Sequence, residues 1–427
     1  MKIVYPICCG VDVHKNTIVA TIAATGKNLI TRYTTATFST LAPDLLRFRN
    51  WLTEHNCRNV CMESTGKYWI PVYNLLEDAF NVILTHPKYV RAIKGQKTDK
   101  KDSKWIADLF KFDLVRSSYI PTKEVRALRD LSRYRFKLVC MRSAEKNRYQ
   151  NSMTVSNVGL GSVLTDPFGR TSTDIMAHLL SSQSYDEEFC KSLIRKSAKV
   201  KTEKILDSIR HSKIEPDQHL KMRLAYGHIN ELNEKIVLVE AEIFNRLQPH
   251  YNKVRFLSSQ LPGITELSAA LILCEIGFDL SPFDDQRHFI SWAGLSPASN
   301  ESANKKKSVR ISKAGKYLKP LLVQCALAAV KSKSQPYFAI KYAAIKRRRG
   351  HKKAIIAIAR MMLVCIYKML STGECFNPTD IDMVFSFAKP KEKRVVITVD
   401  SALDYLISQG YDVSSLAKAD PSVLSVV

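Results

Sequence analysis

ICCGVDVHKNTIVATIAATGKNLITRYTT, residues 7–35, decides the fold. Ile7 to Val13, Thr17 to Ala24 and Leu29 to Thr35 are apolar or β-branched runs, joined by short polar turns at His14 to Asn16 and at Thr25-Gly26-Lys27. Runs of this kind with tight turns between them predict three meandering strands. One residue does not belong in an apolar strand. Asp12 lies inside the first run, and a carboxylate buried there has to be paired or bound to a metal, because an isolated buried charge costs too much.

C-terminal to the meander, Ser39 is placed to cap a helix running to about His55, with Leu41, Leu45, Phe48 and Leu52 on one face. A strand over Asn59 to Glu63, a helix over Lys67 to Ala79, a strand over Val82 to Thr85 and a helix after Asp102 follow. The order β-β-β-α-β-α-β-α predicts an α/β domain built on a ribonuclease-H-like mixed sheet, where carboxylates from the first and fourth strands and from a late helix meet at one edge. An actin-like or sugar-kinase sheet starts in the same way, but it wants a Gly-rich phosphate loop and the sequence has none. Glu63, in CMESTG, ends the fourth strand, while Asp99 and Asp102, in KTDKKDSKW, stand three residues apart at the mouth of a helix and can point one way. Asp12, Glu63, Asp99 and Asp102 are oxygen donors suited to Mg²⁺ or Mn²⁺, which share phosphate oxygens readily.

Charge indicates whose phosphates these are. The 427 residues include 65 Lys plus Arg against 40 Asp plus Glu, a formal net charge of +25, which favours a polyanionic partner, nucleic acid first. The plainer alternative is a strongly cationic surface that keeps the chain in solution. The length predicts about two or three domains. No segment reads as long and apolar enough to span a membrane, and Asp12 interrupts what would otherwise be a signal-peptide core, so a cytoplasmic protein with no membrane partner is expected. Ten scattered cysteines without a CxxC pair fit a reduced protein. Cys57 and Cys61 near His55 could bind a metal, but buried thiols beside a strand explain them as well.

Beyond Pro121 the pattern turns to long charged helices. Glu124 to Met153 carries Val125, Leu128, Leu131 and Leu138 among eight cations, so one face is apolar and the rest basic, for solvent or for nucleic acid. Gly227 to Leu247 places Ile229, Leu232, Ile236, Val239 and Ile243 at alternating three and four spacing, a short heptad seam that can pair within the chain or with another subunit. The stretch from Asn157 to Val200 between them shows no chemistry. LSSQLPGITELSAALILCEIG, residues 257–277, has a Pro-Gly turn between apolar helical runs, like a helix-hairpin-helix segment that offers amides to a phosphate, although an ordinary helical hairpin has the same spacing. A polar loop follows with Ser299, Ser302 and Ser308 beside Lys305, Lys306, Lys307, Arg310, Lys313 and Lys316. Either it grips phosphates, or one serine is a nucleophile and the cations stabilise charge on the attacked phosphate. KYAAIKRRRGHKK, residues 341–353, adds Arg347, Arg348 and Arg349 near Tyr337, Phe338 and Tyr342. The apolar helix from Ala354 to Leu370 reads as core, and the tail after Pro378 as peripheral.

GVDVHK, MESTGKYW, KTDKKDS, LPGITELSAALILCEIG, FISWAGLSP, NES and ISKAGKYLK, in this order, resemble the transposases of the insertion sequence 110 type, the DEDD transposases. The resemblance implies a RuvC-like, ribonuclease-H-fold domain over residues 1–120 and a helical coiled-coil linker with an insertion over 121–254. It further implies a mainly helical transposase domain over 255–376 and a peripheral tail over 377–427. It makes Asp12, Glu63, Asp99 and Asp102 a metal-binding catalytic tetrad using Mg²⁺ or Mn²⁺ and Ser302 a nucleophile, with the tetrad assisting from a neighbouring subunit. It also implies DNA partners (element ends and target), a guiding noncoding bridge RNA, and a homodimer or homotetramer. A site-specific invertase, a metal-dependent junction nuclease in which Ser302 only binds phosphate, and a non-catalytic nucleic-acid-binding protein are the alternatives.

Overall fold

The structure is a computed structural model and describes residues 1–64, 66–87, 98–181, 185–297, 300–302, 305–308, 311–312, 314–388 and 399–414. It divides into two compact units, Met1–Glu240 with Gly277–Pro282, and Ala241–Ile276 with Phe283–Val427.

The first unit is built on a five-stranded mixed sheet in the order β3-β2-β1-β4-β5. β1 (Ile7–Val13), β2 (Thr17–Thr25) and β3 (Thr31–Ser39) are antiparallel neighbours, and β4 (Asn59–Glu63) and β5 (Asn81–Thr85) extend the sheet in parallel from the other side of β1. β1 is central and buried on both faces, which is why its sequence runs almost continuously apolar. Its alternate residues serve different layers. Cys9, Val11 and Val13 join Phe48, Leu52, Val72 and Leu76 from α1 (Ala42–Glu54) and α2 (Trp69–Leu76) in one core. Cys8 packs with Ile106, Ala107 and Phe110 of α3 (Asp99–Lys111) on the opposite face. With a period of two, Gly10 and Asp12 belong to the α3 face.

Two local expectations give way to longer-range pairing. Leu29 takes a left-handed turn conformation with φ 63, so β3 starts at Thr31 and continues to Ser39 in unbroken register with β2. Ser39 is therefore the end of a strand and not a helix cap. Its N–H donates to Asp44 Oδ2 at 3.2 Å, its Oγ accepts from the Leu41 N–H at 3.3 Å, and Leu41 itself takes the cap position of α1, 70% exposed instead of sharing the buried face.

α4 (Lys123–Val155) and α9 (Pro216–Arg246) are the long helices. Arg135 pairs with Glu240 at 2.6 Å, Arg142 donates to Asn233 at 2.8 Å and His228 lies 3.1 Å from Glu145, a descending order that makes the helices antiparallel. Leu232 and Ile236 of the heptad seam bury against Leu138, so this part of the seam is satisfied within the chain. Leu232→Ala is expected to cost about 3 kcal/mol, read as a lower melting temperature by circular dichroism. Between them α5 (Leu160–Val163), α6 (Arg170–Ser181), α7 (Glu187–Ser192) and α8 (Thr202–Asp207) form an insert whose core, including Ile175, Cys190 and Ile205, rests on Tyr149 and Met153 of α4 and Met222 and Ile229 of α9.

The second unit contains α10 (Tyr251–Gln260), α11 (Glu266–Ile276), α12 (Gln286–Trp292), the hairpin β6 (Asn300–Ser302) and β7 (Lys305–Ser308), α13 (Leu318–Ala329), α14 (Tyr337–Arg349), α15 (His351–Thr372), α16 (Ile381–Ala388) and α17 (Val399–Ser408). The helical hairpin expected over residues 257–277 is α10 and α11. Its Gly263, φ 81, lies so close to α13 that a Cβ there would be 2.4 Å from the Cys325 carbonyl oxygen. The expectation that no segment could span a membrane needs correction, because α15, 22 residues long, is long and apolar enough. Length and composition do not separate a span from a core helix, and α15 is packed by α10, α12, α13 and α14, burying Ala354, Ile358, Met362 and Ile366. Part of the expected peripheral tail also packs: Val384 is buried, and Asp380 holds Lys341 and accepts from Tyr337 Oη at 2.8 Å.

Candidate active site

The acidic cluster depends on a glycine two residues before Asp12. A Cβ on Gly10 would lie 2.2 Å from Ser103 O and 2.3 Å from Ala107 N, so only glycine lets α3 lie directly on β1. Thr21 Oγ1 and Ser103 Oγ, 2.7 Å apart, tie the same helix to β2. The close approach carries the first turn of α3, with Asp99 and Asp102, to the end of β1. Thr98 caps that turn, its Oγ1 accepting from the Lys101 N–H at 3.3 Å, and carboxylates in a first turn are favoured by the positive end of the helix. Gly10→Ala is expected to cost about 3 kcal/mol through overpacking against backbone, and the shifted α3 should lower activity more than stability alone explains. Specific activity of the soluble fraction, normalised to its melting curve, checks this.

β4 supplies the fourth carboxylate. Val11 pairs with Met62 in parallel register, so the residues that follow, Asp12 near the end of β1 and Glu63 at the end of β4, fall side by side. Asp12 is 8% exposed. Burial pushes its carboxyl above the ordinary carboxylate range, His14 opposes this, and the charges of Asp99, Glu63 and Asp102 each push it further up. All four sequence-predicted carboxylates are thus electrostatically one group. They are not equally close. Asp12 and Asp99 offer oxygens within 4.8 Å of each other and of a His14 nitrogen, whereas Glu63 and Asp102, half-buried at the same sheet edge, fall outside that tighter set.

His14 was not among the residues singled out from sequence. Its Nε2 lies 3.3 Å from Asp12 Oδ2 and 3.4 Å from Asp99 Oδ1, is buried, and makes no directed hydrogen bond. Its spacing was the available signal, since residues two apart at a strand end share a face. A cluster of carboxylate oxygens around a nitrogen that makes no hydrogen bond among the described residues is chemically fit for a divalent cation. Carboxylates suit Mg²⁺ and Mn²⁺, and an imidazole adds a donor that Mn²⁺ accepts more readily than Mg²⁺. Cys57 and Cys61 behave as buried thiols, pushed by burial up to about 12 and out of ordinary range respectively, and His55 Nδ1 is engaged with Trp51 O at 2.9 Å.

Ser302 belongs to the second unit. The segment expected to be a polar loop is a β-hairpin, with Ser302 opposite Lys305 at its end, Glu301 opposite Lys306, and a Pro297–Ile311 bridge beyond its base. Two glycines clamp that base. A Cβ on Gly294, φ 70, would lie 2.3 Å from Ala314 O, and one on Gly315, φ 67, would lie 2.0 Å from Ala293 O. Lys319 Nζ donates to Ser312 O at 2.6 Å, and burial holds this amine below its ordinary range. Lys305, Lys306 and Lys307 form β7. Lys316 is exposed beside the Tyr317 ring, and Arg347, Arg348 and Arg349 are exposed in the last turn of α14. Ser299, Arg310 and Lys313 lie outside the described residues.

Comparison with known proteins fits both units. Residues 9–157 match a transposase model of the DEDD IS110 type, and residues 257–343 match the model for the Transposase IS116/IS110/IS902 family. A protein of Pseudomonas aeruginosa named "Probable family 20 transposase" is 24% identical over 330 residues, covering 75% of this chain and 86% of its own. The first match contains all four carboxylates and His14, and the second contains Ser302, Lys316 and the glycine clamp. Two family matches in chain order identify an enzyme of DNA recombination: the chain belongs to the IS110 family of transposases.

Proposed function

We propose that this transposase cuts and rejoins the DNA of its insertion sequence with Ser302 as nucleophile and with Mg²⁺ or Mn²⁺ held by Asp12, Glu63, Asp99 and Asp102. The observation that carries the metal half is the buried, raised Asp12 carboxyl, surrounded by three more carboxylates and by His14. Such a site disfavours its own ionisation until a cation arrives. The strand order β3-β2-β1-β4-β5 with helices on both faces supports a ribonuclease-H-like, RuvC-like domain around it. The metal would supply charge stabilisation at the attacked phosphate. The protein's own groups hold the acidic edge rigid through the Gly10 contact and present Ser302 at the end of a clamped hairpin.

The basic elements fit phosphate binding. α15 opens with His351, Lys352 and Lys353, directly after the arginines that end α14. Cations at the positive end of a helix are unfavourable by themselves, and a phosphate relieves them. Lys305, Lys306, Lys307, Arg310, Lys313 and Lys316 would serve the DNA near Ser302. A net charge of +25 without an evident base-reading motif fits selection of DNA sites by a bridge RNA, with the protein gripping backbones. The working form would be a homodimer or homotetramer.

The test is reconstitution from the purified chain, DNA of the element ends and target, RNA transcribed from the flanking DNA, and Mg²⁺. Omitting Mg²⁺ or RNA should each abolish joined product. Full recombination by both Asp12→Ala and Ser302→Ala would refute the mechanism.

A further inference from the structure

We propose that the insert between α4 and α9 carries a phosphate-binding pocket of its own, which takes a backbone phosphodiester of the nucleic acid handled by the transposase. The pocket has a volume of about 440 Å³ and is lined by the Leu164–Asp166 turn, the start of α6 from Gly169 to Ser172, and Arg195, Ser197, Ala198 and Lys201.

α6 is a 12-residue helix with no acidic residue in its first turn. The Thr173 N–H donates to Gly169 O at 3.0 Å, so the amides of Arg170, Thr171 and Ser172 are first-turn donors with no carbonyl inside the helix to accept them. They sit at the positive end of the helix dipole, where an oxyanion is favoured. Ser172 supplies an independent sign of a ligand. It lines the pocket, is fully buried, and its Oγ has no hydrogen-bond partner among the described residues. A buried hydroxyl left unpaired is unfavourable, and a phosphate oxygen would satisfy it.

The charges agree. Arg170, Arg195 and Lys201 border the pocket. Asp174 takes up Arg195 at 2.7 Å, and Lys201 Nζ donates to Val163 O at 2.9 Å. Asp166 is the opposing carboxylate, and its Oδ1 accepts from the Phe168 N–H at 2.9 Å, which ties it into the turn. Arg170 and Lys201 are exposed at the rim, where a long polyanion can reach them. Among the described residues no aromatic side chain lines the pocket to stack a base, so the phosphate is what the site recognises and the contact is independent of sequence. The pocket shares no residue with the tetrad and does not include Ser302, so each reading can fail alone.

The experiment measures binding of the full-length chain to a labelled duplex DNA and to a labelled single-stranded RNA by anisotropy across a salt series. Arg170→Ala/Lys201→Ala is compared with Lys199→Ala/Lys204→Ala, which removes equal charge from the same insert outside the pocket. The pocket pair should weaken binding to one of the two nucleic acids by about tenfold and lower the salt slope by about one, well beyond the control pair. The nucleic acid that shows the loss identifies the strand. If the pocket pair fails to fold, Ser172→Ala makes the same comparison, with weaker binding at an undiminished melting temperature as the expected result. Equal weakening by pocket and control variants on both nucleic acids, or wild-type binding by Ser172→Ala in that substitute comparison, overturns the proposal.

Discussion

Asp12→Asn is expected to abolish strand exchange while leaving the metal-free protein at least as stable as the wild type. The residue is buried among charges of its own sign, and its carboxyl is held above the ordinary range, first by burial and then by Asp99, Glu63 and Asp102. Below the unfolded-state value both folded and unfolded chains are protonated there, and the group costs nothing. As pH rises through the raised folded value, the fold takes on a charge that it disfavours and loses stability. Asparagine keeps the shape and removes that loss, so the neutral-pH melting temperature of the metal-free variant should equal or exceed that of wild type. A bound divalent cation inverts the balance. Wild type should gain melting temperature with Mg²⁺ or Mn²⁺, since a ligand that binds only the folded state stabilises it, and the gain should vanish in the variant. Recombination should fall by about a thousandfold or more. A scanning-fluorimetry titration with each metal, beside a recombination assay, checks both halves. An equal metal-induced rise in wild type and variant would remove Asp12 from the metal site.

Ser302→Ala separates the two halves of the proposed chemistry. The residue ends a hairpin held at its base by Gly294, Gly315 and the Lys319–Ser312 bond, none of which the substitution touches. Folding, DNA binding and the metal-induced rise in melting temperature should therefore persist. Joined product should fall by about ten-thousandfold, the scale of losing a covalent nucleophile. Persisting cleavage without joining would point to water activated at the acidic site, the behaviour of a junction nuclease. The two variants together distinguish a serine that reacts from one that only grips a phosphate.

Much of the acidic site was legible in residues 7–102. β1 is buried on both faces, so its apolar run stood out, and the intruding Asp12 with it. Glu63 was readable because β4 ends where its apolar run ends, and Asp99 with Asp102 because a spacing of three at the mouth of a helix lets both side chains point one way. The role of Gly10 was not legible, since it depends on Ser103 and Ala107, far away in sequence. His14 was readable by strand period and passed over because it lies in a turn. The Ser39 cap and the Leu29 strand start were local signals outweighed by β2–β3 pairing. The hairpin around Ser302 carries lysines where strand propensity wants β-branched residues, and packing between Gly294 and Gly315 steadies its base instead. α15 shows the limit of composition, because an apolar run of that length reads alike for a core and for a membrane. The chemical role of Ser302 rests on resemblance to a family and not on spacing.

Mapping the covalent link tests the account most directly. The full-length chain would be incubated with element-end DNA, flanking-derived RNA and Mg²⁺, stopped under denaturing conditions, digested with protease and nuclease, and examined by mass spectrometry. The account predicts a nucleotide-linked peptide containing Ser302, dependent on Mg²⁺ and absent from Ser302→Ala and Asp12→Asn. Recombined product with no protein-linked DNA, or with the link on a residue other than Ser302, would contradict it.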